Sequence, residues 1–138
     1  MRNLSIARCS LLSLSVKGDD RGSLIALESA ANLPFDVQRV YYIFDTQPGV
    51  VRGRHAHHAL SQLLVAVSGG CTIHVDDGAR RDDVRLDHPS QGLLIGPMVW
   101  REMSEFTPDC VLLVLADSRY KEADYIRVYE HFLALTGS

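Results

Sequence analysis

The sequence predicts an all-β domain in which two sheets pack face to face as a jelly-roll barrel. Short apolar segments follow one another at near-regular spacing, and turns containing glycine or proline separate them. Several segments alternate apolar and polar side chains, as strands with one buried face do. A length of 138 residues fits one domain with a sizeable core. We therefore expect residues 1–138 to form a single all-β domain that ends in a short helix.

The predicted elements follow the chain in order. Residues 4–16 alternate loosely and are expected to form a strand that enters the barrel or pairs with a partner chain. A turn at 17–22 leads to a strand at 23–28. Further strands are expected at 39–44, 51–58, 62–67, 71–75, 83–86, 92–95, 98–103 and 111–116, before a short helix within 124–133. The strand at 111–116 is apolar on both phases, which is typical of a strand covered on both faces.

The composition argues against two classes of partner. A net charge of −3 is unsuited to a general nucleic-acid binder. No apolar run approaches the roughly 20 residues of a membrane span, and the N-terminus lacks the long apolar segment of a signal peptide. We therefore expect a cytoplasmic protein that binds neither nucleic acid nor membrane. All but two of the 14 basic residues are arginine, which binds phosphate and carboxylate with paired hydrogen bonds, so an anionic ligand remains compatible with the charge.

Two histidines one residue apart are the main functional signal. Side chains at i and i+2 of a strand lie on one face, so His55 and His57 should project together. The spacing His55-x-His57-x4-Gln62-x6-Gly69 is that of the first motif of the cupins, whose fold is the jelly roll, or double-stranded β-helix. Histidine titrates near neutral pH, so paired imidazoles in a barrel are suited to moving protons. Proton abstraction next to a carbonyl fits this pair best.

The same motif argues against a bound metal. A metal-binding cupin has glutamate where this chain has Gln62, and it takes a further histidine from a later strand that follows a proline. The corresponding region here, 96–102, contains no histidine. Zinc or iron held by a protein usually has three protein ligands, whereas only two imidazoles remain. We therefore expect no metal and no other cofactor.

Several motifs together resemble the dTDP-sugar 3,4-ketoisomerases, which are single-domain cupins of the WxcM-like type. These motifs lie at 39–45, 52–57, 62–65, 100–103 and 124–127, so the resemblance covers almost the whole chain. Its most specific part is the combination of Arg-Gly-x-His-Ala-His at 52–57 with Gln62 and with Trp-Arg-Glu at 100–102.

The resemblance implies a reaction and roles for individual residues. The reaction is the metal-independent conversion of dTDP-4-keto-6-deoxyglucose into its 3-keto isomer through an enediol or enediolate, in bacterial deoxy- and aminosugar synthesis such as that for lipopolysaccharide and S-layer glycans. His55 corresponds to the base at sugar C3 or C4, and His57 to its acid/base companion. Arg101 matches the active-site arginine that orients the sugar or the enolate oxygen. The remaining substrate-binding candidates are Tyr41, Tyr42, Arg52, Gln62 and Trp100.

Strand geometry qualifies some of these assignments. Arg52 and Arg54 have the opposite strand phase to His55, so a bulge at Gly53 or a bent strand is needed to bring either into the lumen. For the two tyrosines and Trp100, packing in the core is an equally good interpretation.

Two other functions remain open at this point. The dTDP-sugar 3,5-epimerases share the fold and place Arg-Gly-x-His on the same strand, but their second position is not histidine and their chains are longer. A non-catalytic cupin that binds a sugar nucleotide as a sensor or scaffold is the other alternative. The resemblance also implies a homodimer in which N-terminal strands can be exchanged, and the apolar segment 11–16 is consistent with it.

Overall fold

Two five-stranded antiparallel sheets face each other across the core of the protein in the computed structural model, which describes residues 4–137. The strands are β1 Cys9–Ser13, β2 Lys17–Asp19, β3 Gly22–Leu24, β4 Arg39–Ile43, β5 Arg52–His57, β6 Gln62–Ser68, β7 Cys71–Asp76, β8 Arg81–Leu86, β9 Gln91–Ile95, β10 Trp100–Ser104, β11 Val111–Ala116 and β12 Tyr125–Ile126. One helix, α1 Tyr129–Thr136, follows them. The all-β fold with a short C-terminal helix is confirmed.

The strand order explains how distant segments meet. Sheet I has the order β1-β9-β6-β11-β4, and sheet II has the order β12-β5-β10-β7-β8. Strands β2 and β3 form a separate two-stranded ribbon. The sheets pack as two layers with open edges rather than as a continuously hydrogen-bonded barrel. The strand with the two histidines, β5, lies between β10 and the short C-terminal strand β12.

The core between the sheets explains why the strands alternate. Inward side chains from both sheets form one apolar cluster, which includes Leu64, Ala66, Leu112 and Val114 from sheet I and Ile73, Val75, Val84 and Leu86 from sheet II. Each fully buried valine, leucine or isoleucine side chain stabilises the fold by about 1.5–3 kcal/mol.

The outer face of sheet I carries a second apolar cluster. Leu63, Val65 and Leu115 are buried there beneath side chains of the irregular segment 25–37. Strand β11 therefore has buried side chains on both faces, as its sequence predicted.

The ends of the chain differ from the predictions. The expected strand at 4–16 is shortened to Cys9–Ser13, and it pairs with β9 of the same chain. Lys17–Asp19 and Gly22–Leu24 pair as a ribbon, so only the middle of the expected turn 17–22 is a turn. Beyond Leu24 the expected strand 23–28 is irregular, because its apolar side chains pack onto sheet I.

The helix predicted within 124–133 begins later in the structure than the sequence suggested. Tyr125 and Ile126 form strand β12, which pairs with His57 and Ala56 of β5, and α1 starts only at Tyr129. Burial of Ile126 behind β5 favours the extended pairing over a helix. The helix ends at Gly137, which has a left-handed backbone with φ 77°. Within residues 4–137 no helix is long and apolar enough to cross a membrane.

Candidate active site

The two histidines of β5 lie side by side on the inner face of sheet II. His55 is 9% exposed and His57 is 1% exposed. Their ring centroids are 4.8 Å apart and the ring planes are nearly perpendicular. Ala56 between them packs on the opposite face with Trp100 and Ile126. The spacing i, i+2 therefore places both imidazoles together, as expected.

A β-bulge precedes this pair and reverses the phase of the strand. Arg101 is paired with His55 and Glu102 with Gly53, so Arg54 is the extra residue. Gly53 and Arg54 both have positive φ, 85° and 52°. A Cβ atom on Gly53 would lie 3.2 Å from the carbonyl oxygen of Arg101. Both this close approach and the positive φ favour glycine at this position.

The bulge also explains the position of Arg52. Arg52 is paired with Met103, whose side chain is buried in the core between the sheets. Residues directly opposite in an antiparallel pair share a face, so Arg52 lies on the same face as His55. Its side chain is exposed, which places it at the mouth of the space between the sheets. Of the two possibilities that the phase of Arg52 left open, a bulge or a bent strand, the structure has the bulge.

Burial and neighbouring cations keep both imidazoles neutral. Burial lowers the pKa of His55 to about 4, with a further contribution from the charge of Arg101 and partial opposition from the hydrogen bond to Gly53. Burial likewise lowers the pKa of His57 to about 2, followed by the effects of Arg101 and His55. Near pH 7 both side chains are therefore able to accept a proton.

The hydrogen-bond partners of the histidines fix which nitrogen accepts that proton. Nδ1 of His55 lies 2.9 Å from the carbonyl oxygen of Gly53, and Nδ1 of His57 lies 3.1 Å from Oδ2 of Asp124. A carbonyl and a carboxylate only accept hydrogen bonds, so each neutral imidazole carries its hydrogen on Nδ1. The Nε2 atoms of both rings are buried and have no hydrogen-bond partner among residues 4–137. The site thus holds two basic nitrogens, on rings whose centroids are 4.8 Å apart.

Arg101 places a fully buried cation beside this pair. Its Nη1 donates to Oε1 of Gln62 at 2.5 Å, and its Nη2 donates to the carbonyl oxygen of Val99 at 3.1 Å. The bond from Arg101 to Gln62 joins the two sheets, and Gln62 in turn donates to the hydroxyl of Tyr41 in sheet I at 3.1 Å. Burial lowers the pKa of Arg101 to about 10, so it remains charged at neutral pH.

The environment of Arg101 is suited to an anionic ligand. None of its hydrogen-bond partners within residues 4–137 is a carboxylate, and its Nε is buried without a partner. A buried charge that no carboxylate bonds directly is costly, so a ligand that supplies negative charge is stabilised there.

Two of the substrate-binding candidates lie away from the histidines. Tyr42 is on the outer face of β4, 61% exposed, because the next residue from Tyr41 must point the other way. Trp100 likewise lies on the face of β10 opposite to Arg101. Its ring packs beneath α1 against Tyr129 and Phe132. In this chain the packing interpretation describes Trp100, and the structure does not bring either residue to the pair.

Sequence reasoning missed the C-terminal wall of the site. The ring of Tyr125 lies 4.4 Å from that of His57 and 5.0 Å from that of His55. Asp124 bonds to His57, and the guanidinium of Arg127 lies 4.2 Å from the Tyr125 ring centroid. The sequence motif at 124–127 includes these residues, but the expected helix there does not predict that Tyr125, in a strand paired with β5, faces the histidines.

A further unpredicted cation, Arg39, lies near the same wall. Its guanidinium is 5.1 Å from the ring centroid of Tyr41 and 5.7 Å from that of Tyr120. Its Nε is buried, with no hydrogen-bond partner in the described part of the chain. Arg39 and Arg127 both lower the pKa values of the two histidines. Three arginines therefore give the site a positive potential.

The donor set of the site does not fit a metal centre. In the part of the chain from 4 to 137, no three His, Cys, Asp or Glu side chains are grouped so that they could hold a metal ion. Gln62, in the position of the metal-binding glutamate, is engaged by Arg101 and Tyr41.

A cleft on the outer face of sheet II, with a volume of about 720 Å³, is a weaker candidate site. His74 lines it, but both ring nitrogens are occupied, by Asp83 at 2.7 Å and by Ser104 at 2.7 Å. Without a free basic nitrogen this cleft lacks the proton acceptor that the pair His55 and His57 offers.

Comparison with known proteins bears on the chemistry of the pair. The model of the family described as "FdtA: WxcM-like, C-terminal" matches residues 7–137. The chain belongs to this family. The TDP-4-oxo-6-deoxy-α-D-glucose-3,4-oxoisomerase of Aneurinibacillus thermoaerophilus is 51% identical over 114 residues, which cover 83% of this chain and 82% of the relative.

Solved structures of family members have the same fold. The TDP-quinovose 3,4-ketoisomerase WlaRB of Campylobacter jejuni is 48% identical with a TM-score of 0.90, over 94% of this chain and 99% of that one. A mutant of the 3,4-ketoisomerase QdtA from Thermoanaerobacterium thermosaccharolyticum, in complex with TDP-4-keto-6-deoxyglucose, is 38% identical with a TM-score of 0.93, over 95% of each chain. These comparisons confirm the resemblance found in the sequence and favour a ketoisomerase over an epimerase or a non-catalytic binder.

Proposed function

We propose that this protein is a cytoplasmic sugar-nucleotide 3,4-ketoisomerase that converts TDP-4-keto-6-deoxyglucose into its 3-keto isomer. The observation that carries the proposal is the adjacency of two neutral imidazoles, whose Nε2 atoms have no partner within residues 4–137, to a buried arginine that is hydrogen-bonded to no carboxylate there. The relatives that act on TDP-sugars support the substrate. The product is proposed to serve deoxysugar synthesis for lipopolysaccharide and S-layer glycans.

The reaction is an internal redox exchange that needs only proton transfers. The C4 carbonyl acidifies the hydrogen on C3, because the electron pair left by the proton delocalises onto O4. Nε2 of His55 takes this proton and an enediolate forms between C3 and C4. O4 then gains a proton, O3 loses one, and a proton returns to C4 as the C3 carbonyl forms. C3 is oxidised and C4 is reduced, so no external oxidant or reductant is consumed.

Electrostatics explains why Arg101 assists this exchange. Negative charge develops on the sugar oxygens only as the C3–H bond breaks, and a fixed cation in a water-poor site stabilises that charge more than it stabilises the neutral ketone. Gln62 and Tyr41 hold the guanidinium in place and are proposed to contact the sugar. Arg52 at the mouth is proposed to meet the charged part of the nucleotide. Tyr42 and Trp100 are not included in this site.

We propose that catalysis requires no metal, because Gln62 is an amide held by Arg101 and only two imidazoles remain as donors. Activity should survive exhaustive chelation. Stoichiometric zinc, iron or manganese whose removal abolishes turnover, and whose return restores it, would contradict this mechanism.

We also propose a homodimer, with a second copy covering the outer face of sheet I. Val16, Leu24 and Val67 are 49%, 58% and 45% exposed there and line an apolar cleft of about 500 Å³. The ribbon of β2 and β3 is exposed throughout and pairs with neither sheet, so it is the segment that exchange between subunits would move. Light scattering at several concentrations tests this, and a concentration-independent monomer mass would argue against it.

One experiment separates the three functions that the sequence left open. The purified protein is incubated with TDP-4-keto-6-deoxyglucose in deuterated buffer, and the sugar is followed by NMR. Isomerisation moves the carbonyl from C4 to C3, epimerisation introduces deuterium at C3 and C5 with the carbonyl in place, and a binder does neither. The first outcome is expected.

A further inference from the structure

Asp124 is bound to the end of β5 at three points. Its Oδ1 accepts a hydrogen bond from the backbone N–H of Ala59 at 2.9 Å, and its carbonyl oxygen accepts one from the N–H of His58 at 3.0 Å. Its Oδ2 lies 3.1 Å from Nδ1 of His57. The backbone bond to Ala59 fixes the rotation of the carboxylate, so that the other oxygen is always presented to the imidazole.

We propose that Asp124 is a positioning residue for the isomerisation, which keeps His57 in the tautomer that directs a basic Nε2 into the site. This inference rests on the proposed function. Because a carboxylate cannot donate a hydrogen bond, it accepts one from the N–H at Nδ1 of His57. This excludes the tautomer that carries its hydrogen on Nε2. The Nε2 atom, which is buried without a partner, is then left as the acceptor.

The carboxylate also distinguishes His57 from its neighbour. Nδ1 of His55 faces the neutral carbonyl of Gly53, whereas Nδ1 of His57 faces a negative charge. Burial and the charge of Arg101 oppose a charge on His57. An enediolate in the lumen would offset the charge of Arg101, and Asp124 would then stabilise the imidazolium of His57. His57 is therefore suited to hold a proton transiently while the intermediate exists.

The replacement Asp124→Asn tests this role, because the backbone N–H of Ala59 determines which end of the new amide group faces His57. The N–H of Ala59 requires an acceptor, so the amide oxygen would remain there and the NH₂ group would face His57. Nδ1 of His57 would then have to accept, and its hydrogen would move to Nε2, which removes the basic nitrogen from the site.

Two measurements follow from this reversal. In ligand-free protein, the ¹⁵N shifts of the His57 ring should show hydrogen on Nδ1 in the wild type and on Nε2 in Asp124→Asn. In kinetics, kcat should fall by about 10²-fold or more, as for loss of an acid/base group, while KM changes by less than about threefold. Asp124→Glu, which retains a carboxylate, should recover part of kcat.

The matched control is Asp83→Asn. Asp83 bonds to Nδ1 of His74 at 2.7 Å on the outer face of sheet II, so this variant alters a similar pair away from the site. Its kcat and KM should equal those of the wild type. A wild-type His57 with hydrogen on Nε2 would overturn the proposal even if no variant folded, and so would an Asp124→Asn variant with normal kcat. If the wild type does not isomerise the sugar at all, the proposed function fails instead, and the ring shifts still report on Asp124.

Discussion

The carbonyl oxygen of Gly53 accepts a hydrogen bond from Nδ1 of His55 at 2.9 Å. Only Arg54 separates the partners in the chain, so the conformation of the bulge sets the orientation of the imidazole. With φ of 85° at Gly53 and 52° at Arg54, the chain turns this carbonyl toward the histidine that follows. The bulge therefore contributes to the chemistry as well as to the phase of the strand.

Gly53→Ala should lower kcat/KM by about 10-fold or more. The new Cβ would be strained at positive φ and would crowd the carbonyl oxygen of Arg101, so the Gly53 carbonyl would rotate away from His55. Strain at such a position costs about 1–3 kcal/mol of stability. The control is Gly137→Ala, which has φ of 77° and nothing within 4 Å of the added atom. Steady-state kinetics and thermal melting of both variants test this, and equal kcat/KM in the two would show that the bulge is only structural.

Arg101→Lys should reduce kcat/KM by about 10²-fold although the charge is kept. One ammonium group cannot reproduce the two bonds that the guanidinium makes to Gln62 and Val99 together with its free Nε. Arg119→Lys, at an exposed position, is the control. Near wild-type kcat/KM in Arg101→Lys, measured with folded protein, would remove Arg101 from the site.

His55→Asn should cost about 10²–10⁴-fold in kcat, the loss expected for a general base. His57→Asn should cost as much if His57 is the second proton carrier, and less if it only orients its neighbour or the substrate. Deuterium incorporation at C3 and C4 of the product distinguishes these cases. A His55→Asn variant that still exchanges at C3 and turns over normally would refute the central assignment.

The sequence predicted those parts of the site that depend on local periodicity. The shared face of His55 and His57 follows from their spacing, and the need for a bulge at Gly53 or a bent strand follows from the phase of Arg52. The same alternation could have shown that Trp100 and Arg101, as neighbours in a strand, cannot both face the histidines. For Tyr41 and Tyr42 the same rule applies.

The C-terminal wall could not be predicted in this way. Asp124 lies 67 residues from His57 in the chain, and its position depends on pairing between β12 and β5. A two-residue strand carries too little pattern to be distinguished from the first turn of a helix. The pairing is stabilised by tertiary contacts, in which Ile126 packs with Ala56 and Phe132. Such contacts cannot be predicted from the local secondary-structure propensity of the segment.

The lowered pKa values of the two histidines predict that the protein loses stability as the pH falls below about 6.5. A histidine whose pKa is lower in the folded state than in the unfolded state binds its proton only on unfolding between the two values. For His55 that window extends from the ordinary 6.5 down to about 4, and for His57 down to about 2. Between pH 7 and pH 5 each can therefore remove up to about 2 kcal/mol from the free energy of unfolding.

Urea unfolding at pH 7 and pH 5 measures this loss. The double variant with His55→Asn and His57→Asn should lose less stability between the two pH values than the wild type, because neither Asn side chain titrates. His131→Asn, on the exposed side of α1, should behave as the wild type does. Limiting the comparison to pH 5 and above excludes carboxylates such as Glu122, whose pKa is lowered to about 2 by its bonds to Arg127 and Tyr120. If the double variant lost as much stability between pH 7 and pH 5 as the wild type does, the imidazoles would not be buried as neutral bases. The proposed roles of their Nε2 atoms would then be wrong.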